Sequence, residues 1–115
     1  MKNVDLSQIK DIVNADLLQR CKKLVQETVP ESQVILYGSR ARGDACVDSD
    51  YDILILVNGP VDWRLEQTIR ESLFALELET GEALSIQTYS IDTWNSPVYC
   101  AMPFHKNVEQ DGIIL

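Results

Sequence analysis

The stretch Gln33-Val34-Ile35-Leu36-Tyr37-Gly38-Ser39-Arg40-Ala41-Arg42-Gly43 is followed, after a five-residue gap, by Ser49-Asp50-Tyr51-Asp52-Ile53-Leu54-Ile55-Leu56-Val57. Gln33 to Tyr37 is short, β-branched and aromatic and stops at Gly38-Ser39, which predicts a strand entering a tight turn and then a short helix. Asp50 to Val57 predicts a second strand. Its run from Ile53 to Val57 is apolar at every position, which places it centrally in a sheet covered on both faces.

Toward the N-terminus, Leu6, Ile9, Val13, Leu17, Cys21, Leu24 and Val25 recur at steps of three and four, predicting one amphipathic helix or two before Pro30. Asn14-Ala15-Asp16 is where a break is expected, because Asn and Asp cap helices. Toward the C-terminus, Leu65, Ile69, Leu73 and Leu76 share a helical face that Gly81 stops. Ala83 to Ile91 then predicts a third strand, with Ser85, Gln87, Tyr89 and Ile91 on one side of it. After Asp92, short helical turns packed on the core and an extended end are expected.

Asp50 and Asp52 stand two positions apart in a strand, so their side chains leave one face with Cα atoms about 6.5–7 Å apart. Such a pair can share a divalent cation, and Mg2+ in particular takes a few carboxylate oxygens together with waters and substrate phosphates. Gly38 lets the backbone come close to phosphate oxygens, and Ser39 offers a hydroxyl beside the N–H groups of a helix start. Arg40 and Arg42 follow within one turn; either can hold phosphate charge, and one can instead support the loop. Alone, a D-x-D or a Gly-Ser turn is most often a solvated strand end or only a turn. Their fixed order before a buried strand makes coincidence the weaker explanation.

These residues resemble the minimal nucleotidyltransferases of the DNA polymerase β superfamily, whose motif reads G-S-x-A-R-G, a short gap, then S-D-x-D. The resemblance is sharp from Ile35 to Leu56, and Asn107 to Leu115 is similar to the Asn-Ile…Glu-Gly…Leu ending of such proteins. It implies an α/β (α+β) fold with a small mixed β-sheet flanked by helices, as one minimal nucleotidyltransferase domain over residues 1–115. It further implies Asp50 and Asp52 as catalytic metal ligands, and Gly38, Ser39, Arg40, Arg42 and Ser49 as the nucleotide-binding set. The family usually places a third carboxylate on the next strand. Gln87 is the expected occupant here, with Glu82 an alternative if the strand starts earlier, and a neutral amide can neither act as a base nor attract Mg2+ as a carboxylate does.

The chain carries 10 Lys+Arg against 18 Asp+Glu, a formal net charge of -8, so no direct nucleic-acid binding is expected and a basic partner protein suits it better. No apolar run approaches a membrane span or signal peptide, and Cys21, Cys46 and Cys100 have neither disulfide-framework nor zinc spacing, which fits a reducing cytoplasm. His105 reads as a surface or tail-packing residue, Trp63 and Trp94 as packing residues and Cys46 as incidental. The function expected from the resemblance is Mg2+-dependent transfer of AMP from ATP to a hydroxyl on a partner protein. That partner would be a small helical HEPN-type toxin in a toxin-antitoxin pair. The alternative is a catalytically weakened nucleotide-binding module that neutralises its partner by complex formation. A nucleotide-sugar glycosyltransferase is disfavoured by the short chain, and homo-oligomerisation is left open.

Overall fold

The structure is a computed structural model that describes residues 1–3 and 14–115. In chain order it contains β1 (Lys2–Asn3), α1 (Ala15–Thr28), β2 (Gln33–Tyr37), α2 (Ser39–Arg42), β3 (Tyr51–Val57) and α3 (Trp63–Thr80). It continues through β4 (Leu84–Ser90), α4 (Ile91–Trp94), α5 (Pro97–Cys100), α6 (Pro103–Asp111) and β5 (Ile113–Ile114). Helix α1 begins where the Asn-Ala-Asp signal predicts a break, since Asn14 Oδ1 accepts the Leu17 N–H at 3.0 Å and so satisfies one donor that a first helical turn leaves over. The helical expectation for Leu6 to Val13 lies outside the described residues.

The strands form one mixed sheet in the order β1-β5-β2-β3-β4. Strand β3 is antiparallel to β2 and parallel to β4, the parallel step being made by the α3 crossover. Period two divides the sheet's side chains. Val34, Leu36, Ile53, Ile55 and Val57 face α1 and α3, where they meet Leu17, Cys21, Val25, Ile69, Leu73 and Leu76. Ile35, Leu54 and Leu56 face the other way, onto Trp94 and Val108 from the C-terminal helices. Cover on both faces is why Ile53 to Val57 carries no polar residue, and each such aliphatic side chain contributes about 1.5–3 kcal/mol on burial. Cys21 lies in the first layer, and burial pushes its thiol up to about 12, which leaves it inert.

Strand β4 ends one residue before Ile91 because Ser90 turns into a helix cap, its Oγ accepting the Thr93 N–H at 3.1 Å. Trp94 is a packing residue, but Trp63 is not: it is 68% exposed. It stands six residues before Ile69, about 120° round the helix from the buried stripe. His105 is buried and stacked on Trp94 with ring centroids 4.3 Å apart, so it belongs to the second layer. Among the described residues no helix is long and apolar enough to cross a membrane.

Candidate active site

Tyr37, the last residue of β2, pairs with Asp52 of β3, so the chain leaving β2 must pass directly over the Asp52 carboxylate. Gly38 makes that passage at φ 75°, a backbone conformation that costs a side-chain-bearing residue free energy. A Cβ there would lie 2.2 Å from Asp52 Oδ2. The glycine therefore clears room first for the carboxylate, and by the same absence of side chain keeps the turn open to a ligand. Ser39 opens α2, which Gly43 closes in the left-handed region at φ 83°, its N–H donating to Ser39 O at 2.9 Å. Gly38→Val is accordingly expected to weaken Mg-nucleotide binding at least about tenfold by displacing Asp52. Ser39→Ala removes one hydroxyl worth about 0.5–1.5 kcal/mol. Calorimetry ranks the two, and equal affinity across native and both folded variants would refute the assignment.

Asp50 is exposed just before β3 and Asp52 is half-buried at its entry, near enough for the Asp50 charge to act on it, while Tyr51 between them is buried. Its hydroxyl accepts the Asn14 N–H at 3.2 Å, and its ring lies 4.4 Å from the Arg40 guanidinium carbon. Arg40 donates to Ser49 O at 2.8 Å and Val47 O at 3.1 Å and is 4% exposed. Of the two arginines it is the one that supports the loop, tying down the segment 43–50 from behind and lying off the cleft lining. Ser49 also lies off the cleft lining, its Oγ accepting the Cys46 N–H at 2.9 Å to close a turn. Both brace the loop that leads to the carboxylates.

The Asp52 carboxyl is held above its ordinary value by partial burial and then by the Asp50 charge, with Arg42 acting against them. The Tyr37 hydroxyl is pushed up to about 12 by burial and by Asp52. For an acid raised in the folded state, the stabilisation belongs to the protonated form; it is present below 3.8 and lost as pH rises through the folded value. At neutral pH the metal-free protein therefore carries Asp52 as a destabilising charge. Asp52→Asn is expected to raise the metal-free Tm at pH 7 and to flatten its decline above the ordinary carboxylate range, read by thermal melting in EDTA across pH. A lower Tm for the variant at pH 7 would contradict this.

A cleft of about 330 Å³ opens over these groups. One side is Gly38, Ser39, Arg42 and Asp52; the other is Phe104, Asn107, Val108 and Asp111 of α6. Arg42 spans them, its Nε donating to Asp44 Oδ2 at 3.2 Å and its Nη1 lying 3.7 Å from Asp111 Oδ2. Asn107 and Asp111 are the site residues that motif reasoning missed. Their only sequence signal was the tail resemblance, which carries no distance to Asp52.

The β3–β4 register sets Ser85 opposite Asp52 and Gln87 opposite Leu54. Gln87 shares the Asp52 face as expected from period two, one pleat further along β4, and the residue directly across from Asp52 is Ser85. Glu82 precedes β4. Among the described residues no group of three His, Cys, Asp or Glu side chains could hold a metal ion. Asp50 and Asp52 alone remain, like charges whose repulsion a divalent cation would relieve. Two carboxylates fit Mg2+, which takes its other ligands from water and phosphate.

The sequence profile of the nucleotidyltransferase domain family matches residues 17–110. The chain belongs to this family. A relative from Methanocaldococcus jannaschii, named "Putative protein adenylyltransferase MJ0604", is 30% identical over 107 residues, which cover 93% of this nucleotidyltransferase and 93% of that protein. A solved structure described as a toxin-antitoxin with AMP-PNP aligns with TM-score 0.59 at 21% identity, over 84% of this chain and 69% of that one. That likeness establishes the shared fold, and the family assigns a nucleotidyl-transfer role with a nucleotide substrate.

Proposed function

We propose that this nucleotidyltransferase transfers AMP from ATP to a hydroxyl on a partner protein and acts as the antitoxin of a toxin-antitoxin pair. The close approach of Gly38 to the Asp52 carboxylate carries the reading, because it joins the Gly-Ser turn and the inner carboxylate of the D-x-D into one cleft wall. The adenylyl group and protein acceptor are supported by the name of the Methanocaldococcus relative, and the toxin partner by the description of the structural neighbour. A small helical HEPN-type toxin with a basic face would complement a chain of net charge -8.

Asp50 and Asp52 would hold Mg2+, which when bound supplies Lewis-acid stabilisation of charge on the phosphoryl oxygens. The Ser39 hydroxyl donates to the β- or γ-phosphate, and Arg42 balances charge that builds on the leaving pyrophosphate. The acceptor oxygen bonds to the α-phosphorus as the bond to the β-phosphate oxygen breaks, pyrophosphate leaves and the acceptor's proton passes to solvent. Ser85 and Gln87 are neutral, so β4 offers no carboxylate to take the acceptor's proton. That observation favours the second reading, a nucleotide-binding module that neutralises its partner by complex formation.

The test is incubation of the purified chain with ATP labelled at the α-phosphate, Mg2+ and the protein encoded beside it. Label on the neighbour supports transfer. A stable complex without label supports the binding module, and the absence of both label and complex overturns both readings.

A further inference from the structure

Arg42 is the one cationic side chain lining the cleft among the described residues, and two carboxylates already share it. They are not equivalent. Asp44 lies on the loop after α2 with its side chain 61% exposed, whereas Asp111 is 23% exposed and held by the fold. Asp111 ends α6, whose Val108 packs in the second layer, and the next residue donates from its N–H to Val108 O at 2.7 Å as the chain enters β5. A carboxylate so placed faces into the cleft from the wall opposite Asp52.

A free nucleoside triphosphate, a polyanion, would meet Asp52 and Asp111 there, with the Asp50 charge close behind Asp52 and only one shared guanidinium to receive it. We infer that Asp111 makes nucleotide entry conditional on a divalent cation: by engaging Arg42 across the cleft, it lets the site discriminate metal-complexed from free nucleoside triphosphate. This rests on the nucleotide-binding reading above. In the metal-complexed form the cation balances Asp50 and Asp52 and part of the phosphate charge, so Asp111 opposes binding less. In the free form only the shared Arg42 offsets it.

Calorimetry with AMP-PNP, in EDTA and in excess Mg2+, tests this on the whole chain. Asp111→Asn is expected to bind AMP-PNP about three- to tenfold tighter than native in EDTA, as for a partly buried charge near an ionic ligand. Its gain in Mg2+ is smaller, so the Mg2+ preference falls. Asp111→Ser should behave alike, Asp111→Glu should restore the native preference, and Asp44→Asn should change it less. A gain in affinity is not an outcome that partial unfolding produces. Native binding in Mg2+ with Asp111→Asn no tighter than native in EDTA, or with equal gains in both buffers, overturns the inference alone. No AMP-PNP binding by the native chain in either buffer overturns the nucleotide-binding reading and this inference with it.

Discussion

Asp52→Asn is expected to reduce AMP transfer to the partner about 10³-fold or more. A cation held by the carboxylate pair would supply several kcal/mol of charge stabilisation in phosphoryl transfer, and each 1.36 kcal/mol is a factor of ten. Asn keeps the shape and one acceptor oxygen but removes the charge, so the Gly38 passage stays intact while the cation loses its better-placed ligand. Asp50 is exposed and Asp52 half-buried, hence Asp50→Asn should cost less because solvent can partly replace it. The same variant gives a binding readout. Mg2+ with ATP should raise the native Tm by mass action, and Asp52→Asn should lose most of that rise. An unchanged rise would place the nucleotide elsewhere.

What could be foreseen and what could not follows from the range of the signals. Strand β2, the Gly38-Ser39 turn and strand β3 are encoded locally, by β-branched runs and by a glycine where φ must be positive. Asn14 announces its own cap in the same way. Arg40 and Arg42, by contrast, look interchangeable in sequence. Only the helical turn carrying them sends residues two apart to opposite sides, Arg40 onto Tyr51 and Arg42 into the cleft. Period two in β4 fixed which residues share a face but not how far the strand slides along β3, and that slide separates Ser85 from Gln87 as the neighbour of Asp52. Asp111 reaches Arg42 only because β5 pairs with β2 and draws α6 over the sheet, a long-range event with no periodic trace.

The register makes the third-carboxylate question an experiment with two arms. Parallel partners point to the same face, and neighbouring strands lie about 4.8 Å apart, so a carboxylate at position 85 would stand beside Asp52 at the open end of the sheet. One at position 87 would stand beside Leu54, a full pleat further from Asp50. General-base assistance is typically worth about 10²- to 10⁴-fold. Ser85→Asp is therefore expected to raise transfer at least about tenfold, with Gln87→Asp gaining distinctly less. The added charge has a second signature. It crowds a carboxylate already held above its ordinary value by burial and Asp50, so Ser85→Asp should melt lower than native in EDTA and recover more on adding Mg2+. A lower melting point without any gain in transfer would show that the new carboxylate reaches the metal pair but that proton removal does not limit the native rate. A larger gain from Gln87→Asp would mean that the acceptor hydroxyl approaches along the sheet from the Leu54 side, away from the Gly-Ser turn.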